Sequence, residues 1–241
     1  MNKSDGKLLS SRVYPEFFSI EKTDRVLNLG CGDGPQAAIY AGQFGEMVGV
    51  DVNVDRLKAG ERRLSSMGIG SYTTLEANVE SVPLQDAQFD KVIAIDIVEH
   101  VENPSQLCAE AHRLLAPGGH LLMTFPAMHD RVVHALSGVK NFVVRNRNNH
   151  SHVESGEWNP DAHNQHESVS DWIRMVEDAD FTVAAKRATT MFMPLHLYGI
   201  PRFWFSNEAI HSIDRQICRV PGLKNYGQTL MVEFVKTTSN S

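Results

Sequence analysis

A glycine-rich turn is the first feature of this sequence that could do chemistry. Gly30, Gly32 and Gly34 alternate directly after the apolar run at residues 25–29. Glycines at this spacing let the backbone pass close to a ligand, because no side chain stands in the way. The run before the turn is typical of a buried strand and the residues after it of a helix, so we interpret the turn as a ligand-binding loop.

An acidic residue, Asp51, ends the next apolar run, at residues 47–51. Its carboxylate can accept two charge-assisted hydrogen bonds from neighbouring hydroxyl groups, such as those of a ribose diol. The alternative role is that of a helix cap, but Asn53 is better placed to cap the helix predicted to follow. We therefore expect Asp51 to bind a ribose.

A third candidate, His100, follows a later strand. Histidine titrates near neutral pH and could take a proton from a hydroxyl or a phenol, and a structural role at the start of a helix is the alternative. Asp96, Glu99 and His100 together have the composition of a divalent-metal site. The same residues occur in proteins that use no metal, so we predict no metal here.

These residues are positioned by strands and helices that alternate along the chain. Apolar runs predict strands at residues 25–29, 47–51, 72–77, 89–96, 120–125, 181–184 and 229–235, and helical spacing predicts helices at residues 36–44, 54–67, 104–115 and 170–179. The Pro-Gly-Gly sequence at residues 117–119 predicts a turn. This alternation predicts an α/β fold with a doubly wound, mostly parallel sheet, in which ligands bind beyond the carboxyl ends of the strands. The glycine turn, Asp51, Asn78 and Asp96 would all lie at that edge.

The composition indicates an ordinary globular chain and limits its partners. The 241 residues are 42% hydrophobic and 22% charged, with a formal net charge of −6. This balance gives no positive field for a phosphate backbone, so we expect a small-molecule partner and no nucleic acid. Three scattered cysteines without a CxxC pair fit a reducing compartment, and no segment predicts a signal peptide or a membrane span. We therefore expect a cytoplasmic protein without integral membrane association.

The spacing of the glycines separates two classes of enzyme that combine such a turn with an acid after the next strand. Dinucleotide-dependent oxidoreductases use GxGxxG, and its third glycine would fall on Pro35. The observed pattern is GxGxG. This spacing favours the second class, the methyl-transfer enzymes.

The segment from Val26 to Gly34, VLNLGCGDG, closely resembles the first motif of the class I S-adenosylmethionine-dependent methyltransferases. Further segments resemble that family in order and spacing: GVD at 49–51, ANVESVPL at 77–84, FDKV at 89–92, DIVEHV at 96–101 and LLAPGG at 114–119. The resemblance covers about residues 24–126, with a weaker match at the two late strands. It is closest to small-molecule enzymes such as the O-methyltransferases of quinone biosynthesis.

The resemblance implies a Rossmann-like sheet of seven strands with an antiparallel last strand pair, and S-adenosylmethionine as the cofactor. It implies that Asp51 holds the ribose hydroxyls, that Val52 packs against the adenine face, and that Asn78 and the Val79 backbone meet the adenine edge. The full set of implied cofactor contacts is Gly30, Cys31, Gly32, Gly34, Asp51, Val52, Asn78, Val79 and Asp96. At Asn28 and Asn78 the family commonly has acids, so the cofactor would meet a less negative potential here. For Asn28, a structural role inside the strand is an equal alternative.

We predict one methyltransferase domain over residues 1–241, with a lead-in at 1–24, a lid-like insertion at 127–170 and a cap insertion at 190–226. The cap is rich in aromatic residues, for which packing on the core is favoured over lipid binding. The spacing of four histidines in the lid matches no structural zinc pattern; these are His150, His152, His163 and His166.

The predicted activity is methyl transfer to a small-molecule acceptor, with oxygen preferred because His100 supplies a possible base. The sulfonium already activates the methyl carbon, so the enzyme mainly aligns nucleophile, methyl and sulfur. The alternatives are N- or C-methylation of a metabolite, glycan or lipid, a nicotinamide oxidoreductase, and a protein that binds the cofactor without catalysis.

Overall fold

Buried apolar runs form the strands of a seven-stranded sheet in the computed structural model, which describes residues 15–126, 167–189 and 229–237 and the single residues 213, 216, 217 and 220. The strands are β1 (Arg25–Leu29), β2 (Glu46–Asp51), β3 (Tyr72–Glu76), β4 (Phe89–Ala94), β5 (Leu115–Pro126), β6 (Phe181–Thr189) and β7 (Thr229–Lys236). Helices of five or more residues in these ranges are α1 (Pro35–Ile39), α2 (Val54–Ser66), α3 (Pro104–Leu114) and α4 (Val169–Glu177).

The strand order is β3-β2-β1-β4-β5-β7-β6. Strands β1 to β5 are parallel, whereas β7 runs antiparallel to both β5 and β6. This order confirms the predicted fold class, a mostly parallel α/β sheet with an antiparallel last pair. From β1, strands β2 and β3 follow toward one edge of the sheet, whereas β4 and β5 follow toward the other. Ligands of doubly wound sheets bind beside this switch point between β1 and β4.

Alternating side chains of the strands supply a core on each face of the sheet. On one face Leu27 and Leu29 pack with Leu107 of α3 and Trp172 of α4. On the other face, Val26 and other strand residues pack with α1, α2 and the segment before β1; these residues include Phe18, Ala37, Tyr40 and Leu64. Helices therefore cover both faces and leave the ends of the strands accessible.

Polar residues cap three of the helices at their first turn. Asn53 Oδ1 accepts from the N–H of Arg56 at 3.0 Å, which confirms the predicted cap of α2. Asn103 Oδ1 accepts from the N–H of Gln106 at 3.1 Å at the start of α3. Ser168 supplies the corresponding oxygen for α4. These caps explain why the helix starts could be predicted closely.

Three predicted elements differ in length from the observed ones. The helix expected at 36–44 ends at Ile39, and Gly42 beyond it has a φ of 74°, which cannot continue a helix. The turn expected at 117–119 lies inside β5, where the pairing with β4 shifts register between Phe89 and Lys91. The strand expected at 181–184 continues to Thr189 because β7 pairs with it over that whole length.

The ends of three strands meet at one place. Thr229, the first residue of β7, is paired with Pro126 at the end of β5 and with Thr189 at the end of β6. Thr189 Oγ1 also donates to the carbonyl oxygen of Thr229 at 3.5 Å. The chain between Thr189 and Thr229 thus leaves and returns at neighbouring points of the sheet.

Some sequence predictions concern residues outside the described ranges. These are most of the lid at 127–170 with its four histidines, nearly all of the cap at 190–226, and residues 1–14 of the lead-in. In the part of the chain that the structure describes, no helix is long and apolar enough to cross a membrane.

Candidate active site

The glycine turn connects β1 to α1 and adopts a backbone that favours glycine. Gly30, Gly32 and Gly34 have φ values of 68°, 54° and 71°, in the left-handed region. Neighbouring groups also lie close: an added Cβ would lie 2.8 Å from Ile97 Cδ1 at Gly30 and 2.1 Å from Arg56 Nη2 at Gly32. The turn therefore needs its glycines for both conformation and space.

Asp51 lies at the carboxyl end of β2, where the structure joins it to the glycine turn. The residue is 8% exposed, and its Oδ2 accepts from the N–H of Gly32 at 2.8 Å. Oδ1 accepts from the N–H of Asn53 at 2.9 Å. Each carboxylate oxygen can accept about two hydrogen bonds, so each keeps one acceptor position. The protein thus fixes the carboxylate in one orientation and leaves two acceptor positions for a ligand.

Two residues near Asp51, Val52 and Asn78, are exposed to solvent. Val52, an apolar residue, is 57% exposed directly after the carboxylate. Asn78 is exposed after β3, whereas the Val79 side chain is buried in the core, so only the Val79 backbone can meet a ligand. The N–H of Ala77 donates to the Asp51 carbonyl oxygen at 3.3 Å and holds this turn beside β2. An exposed apolar surface thus lies beside a fixed polar group.

Asp96, at the end of β4, has a φ of 49°, which few residues other than glycine adopt. Its N–H donates to Thr124 Oγ1 at 2.8 Å, and that hydroxyl donates to Asp96 Oδ1 at 3.2 Å. Thr124 is buried on β5, so the neighbouring strand holds Asp96 in this conformation. Left-handed backbone conformations at non-glycine residues are concentrated at functional sites.

Directly after Asp96, the chain forms a turn from Ile97 to His100, in which the His100 N–H donates to the Ile97 carbonyl oxygen at 2.9 Å. His100 is partly buried and Glu99 is buried. Within the described residues, no group of three or more His, Cys, Asp or Glu side chains could hold a metal ion. The structure therefore does not assemble Asp96, Glu99 and His100 into a metal site.

Two other residues singled out in the sequence lie beneath the turn. Asn28 is buried and its Nδ2 donates to Gln36 Oε1 at 3.2 Å, which is a structural contact between β1 and α1. The Cys31 side chain is buried beside Tyr72, and burial raises the pKa of its thiol to about 12. The thiol is therefore neutral at physiological pH, and only the backbone of Cys31 can contribute to ligand binding.

Sequence reasoning missed the basic residues that brace the turn from α2. Arg63 Nη1 lies 3.0 Å from Asp33 Oδ2, and Arg56 Nη2 lies 3.9 Å from Asp33 Oδ1. Gly60 lets α2 approach closely, because a Cβ there would lie 2.9 Å from the Asp33 carbonyl group. The sequence did contain a signal for this contact. Gly60 lies in the predicted helix, and Arg56 and Arg63 lie about one turn before and after it, on the same face.

Comparisons with known proteins agree with this geometry. A family model described as a methyltransferase domain matches residues 27–123. A ubiquinone/menaquinone biosynthesis C-methyltransferase from Psychromonas ingrahamii is 33% identical over 108 residues, 43% of this chain and 43% of that protein. The enzyme of the same name from Erwinia tasmaniensis is 33% identical over 120 residues, 46% of this chain and 48% of that protein.

Residues 27–123 match the methyltransferase-domain family model and are similar to class I S-adenosylmethionine-dependent methyltransferases. The matches span less than half the length of these curated relatives. Solved methyltransferase structures share the fold at low identity. One from Methanosarcina mazei has a TM-score of 0.65 at 17% identity, covering 94% of this chain and 99% of that chain. A geranyl diphosphate C-methyltransferase from Streptomyces coelicolor has a TM-score of 0.60 at 15% identity, covering 97% and 78%.

The site of this methyltransferase domain fits the family's cofactor, S-adenosylmethionine. Asp51 retains acceptor positions for a diol beside the glycine turn, and the Arg56 guanidinium lies at Gly32, where a Cβ would stand. Val52 presents an exposed apolar surface next to both. The acceptor positions, the glycine turn and the apolar surface together match a ligand that combines a sugar, a narrow chain and a flat base.

A polar network fastens the loop after β3 to helix α3 of the methyltransferase domain. Arg113 donates to the carbonyl oxygens of Val82 at 2.9 Å and Leu84 at 2.8 Å, and to Glu110 Oε1 at 2.7 Å. Glu110 also accepts from the N–H of Val82 at 2.6 Å. Burial acts to raise the pKa of Glu110, but the hydrogen bonds from Arg113 and Val82 outweigh it and hold that pKa below its ordinary value.

Glu110→Gln should lower the free energy of unfolding at pH 7 by about 1–2 kcal/mol, because Arg113 and Val82 lose a charged acceptor. The pKa of Glu110 is lower in the folded state. Its stabilisation is therefore fully present above about pH 5 and is lost as the pH falls through the folded-state pKa. Urea unfolding of both proteins should show a constant difference from pH 7 to about pH 5 that shrinks below about pH 4.

The matched control is Glu177→Gln, which removes an exposed carboxylate at the end of α4. It should change the free energy of unfolding by less than about 0.5 kcal/mol. A difference for Glu110→Gln that stays the same at low pH would show that the carboxylate charge has no part in holding the loop.

Proposed function

We propose that this chain transfers a methyl group from S-adenosylmethionine to a carbon atom of a small molecule. The observation that carries the proposal is the Asp51 carboxylate, fixed by two backbone N–H groups at 2.8 and 2.9 Å and joined through one of them to the glycine turn. A carboxylate held in this way can accept both hydroxyls of a ribose.

The strand order indicates how the ligand would lie. Along β3-β2-β1-β4 the edge presents Asn78, then Asp51, then the glycine turn, then Asp96. With the ribose at Asp51, the narrow amino-acid chain would lie along the turn, where the glycines themselves carry no side chains and Ile97 and Arg56 lie close to Gly30 and Gly32. The base then lies toward Val52 and Asn78, and the reacting methyl group lies toward β4. This order supports an acceptor position near the segment that carries His100.

When bound, S-adenosylmethionine supplies a methyl group that its sulfonium has already activated. The remaining chemical requirement is the removal of a proton from the acceptor. His100 is the residue proposed to take that proton, because an imidazole nitrogen can act as a general base. If the acceptor is a phenol or a quinol, loss of its hydroxyl proton places negative charge on the oxygen and on the neighbouring ring carbons. For an oxygen acceptor that proton transfer is sufficient. For a carbon acceptor, the methyl–sulfur bond breaks as the new carbon–carbon bond forms, and the aromatic ring is restored when that ring carbon loses its own proton to a base and the oxygen regains one.

The names of the relatives support carbon as the acceptor atom. The matched relatives from Psychromonas ingrahamii and Erwinia tasmaniensis are named C-methyltransferases, as is the structural neighbour from Streptomyces coelicolor. The sequence alone favoured oxygen, because His100 suggested a hydroxyl acceptor. Oxygen remains the alternative outcome of the test below.

The test uses 1,4-dihydroxynaphthalene as the acceptor and S-adenosylmethionine with a deuterated methyl group. We expect a product about 3 Da heavier than the product of ordinary methylation, because CD3 replaces CH3, with the labelled methyl group on a ring carbon in its NMR spectrum. His100→Gln should lower kcat by about 100-fold, while the dissociation constant of S-adenosylhomocysteine stays within about twofold.

His112→Gln serves as the control, since His112 lies in α3 and packs against Phe181, away from the ligand-binding edge. It should leave kcat unchanged. Label found only on oxygen would overturn the proposed carbon acceptor. Binding of NAD, or failure of S-adenosylhomocysteine to bind at all, would overturn the proposed cofactor.

A further inference from the structure

A hydroxyl group on β5 bonds to the main chain just beyond the end of β4. The pairing of these two parallel strands ends at Ala94 and Met123. Beyond that pair, the N–H of Asp96 donates to Thr124 Oγ1 at 2.8 Å. The same hydroxyl donates to Asp96 Oδ1 at 3.2 Å. One threonine side chain thus bonds to both the main chain and the carboxylate of Asp96.

These two hydrogen bonds act on a residue with a strained backbone. Asp96 has a φ of 49°, in the left-handed region that side chains disfavour, and such a conformation persists only where its surroundings hold it. Thr124 can hold it, because Thr124 is 1% exposed and its main chain pairs with Met231 on β7. Without the hydroxyl, we expect the backbone at Asp96 to relax toward a negative φ.

The conformation of Asp96 sets the path of the residues that follow it. The next residue, Ile97, packs on the glycine turn, since a Cβ added at Gly30 would lie 2.8 Å from Ile97 Cδ1. The N–H of His100 then donates to the Ile97 carbonyl oxygen at 2.9 Å. A change of φ at Asp96 would therefore shift Ile97 relative to Gly30 and displace His100 with it.

We infer that Thr124 is a positioning residue for methyl transfer. Its hydroxyl holds Asp96 in the left-handed conformation and thereby places residues 96–100 against the glycine turn. The inference rests on the proposed function, because it takes His100 as the base. The Asp51 carboxylate is held by N–H groups of the glycine turn and of its own loop, and not by β5. Loss of the Thr124 hydroxyl should therefore slow catalysis far more than it weakens cofactor binding.

Two substitutions separate the hydroxyl from the rest of the side chain. Thr124→Val keeps the branched shape without the hydroxyl, and Thr124→Ser keeps the hydroxyl. With 1,4-dihydroxynaphthalene and S-adenosylmethionine, Thr124→Val should lower kcat by at least about tenfold, because a reacting group displaced by about 1 Å can cost about 100-fold. The dissociation constant of S-adenosylhomocysteine should stay within about threefold. Thr124→Ser should keep kcat within about threefold of the wild-type value.

Hydrogen–deuterium exchange followed by NMR tests the hold on Asp96 without any turnover. The Asp96 amide should exchange at least about tenfold faster in Thr124→Val than in the wild-type protein, because the acceptor of its N–H is removed. In Thr124→Ser the acceptor is retained, so the exchange rate should stay within about threefold of the wild-type rate.

Another left-handed aspartate bonded to a threonine provides the matched control. Asp180, directly before β6, has a φ of 61°. Its carbonyl oxygen accepts from the N–H of Thr237 at 3.0 Å and from the Thr237 hydroxyl at 2.6 Å. This pair lies where β6 begins and β7 ends, at the opposite end of the sheet from Asp96. Thr237→Val should therefore leave both kcat and the exchange of the Asp96 amide unchanged.

Three results would overturn the role of Thr124 in catalysis: an unchanged kcat in Thr124→Val, equal losses of kcat in Thr124→Val and Thr124→Ser, or a loss of S-adenosylhomocysteine affinity as large as the loss of kcat. If the wild-type protein transfers no methyl group, the proposed function fails. Faster exchange of the Asp96 amide in Thr124→Val would then still support the hold on residues 96–100. Exchange at the wild-type rate would overturn the inference in either case.

Discussion

Asp51→Ala should weaken the binding of S-adenosylhomocysteine by about 100- to 10,000-fold, because it removes the acceptor of two ribose hydroxyls. Each hydrogen bond between a ribose hydroxyl and a charged oxygen contributes about 1.5–3 kcal/mol, and about 1.4 kcal/mol corresponds to a tenfold change in affinity. The substitution also removes the acceptor of the Gly32 N–H, which joins the glycine turn to β2. Isothermal titration of the purified variant measures the loss directly.

The control for this experiment is Asp55→Ala, an exposed acid in the first turn of α2. It removes the same charge close to the site and should change the dissociation constant by less than about threefold, because exposed charges are well screened. Asp51→Asn, which keeps one acceptor oxygen, should lie between the two. An Asp51→Ala protein that binds with wild-type affinity while remaining folded would refute the ribose site.

Trp172→Ala should lower the free energy of unfolding by about 3–5 kcal/mol, the range found when a large buried aromatic side chain is removed. Trp172 lies on α4 and is 1% exposed. Its ring stacks on Phe125 of β5 with the centroids 6.3 Å apart, and Phe125 in turn contacts Phe234 of β7 edge-on. The substitution therefore leaves a cavity where a helix meets the central and the antiparallel strands.

Chemical denaturation followed by circular dichroism measures this loss. Trp172→Phe keeps an aromatic ring against Phe125 and should lose clearly less stability. Arg174→Ala, on the exposed side of the same helix, should change stability by less than about 0.5 kcal/mol. Equal losses for Trp172→Ala and Arg174→Ala would show that the aromatic contact makes no measurable contribution to stability, since alanine is the best helix former and neither loss could come from helix propensity.

Most of the fold could be predicted because its signals are local. The buried strands are continuous apolar runs, and the helices begin at cap residues such as Asn53 and Asn103. The errors occur where distant pairing decides the outcome. The extension of β6 to Thr189 depends on β7, which begins 40 residues later in the chain. The strand through residues 117–119 likewise depends on a register shift against β4.

The candidate site was predictable in its position and less so in its contacts. Glycine spacing and an acid after the second strand were sufficient to single out Asp51. Its bond to the Gly32 N–H spans 19 residues and follows only from the parallel pairing of β1 with β2. The burial of the Cys31 side chain and the left-handed conformation of Asp96 were not predictable, because both depend on neighbours from other elements.

The meeting of three strand ends at Pro126, Thr189 and Thr229 has an evolutionary consequence. Thr189 and Thr229, which flank the intervening segment, are paired directly between β6 and β7. The entropic cost of closing a loop grows only with the logarithm of its length. Recombination can therefore lengthen, shorten or replace that segment while the sheet continues to fold. The strands that carry the candidate site, β1 to β4, take no part in this junction, so such a change leaves that half of the sheet unaltered.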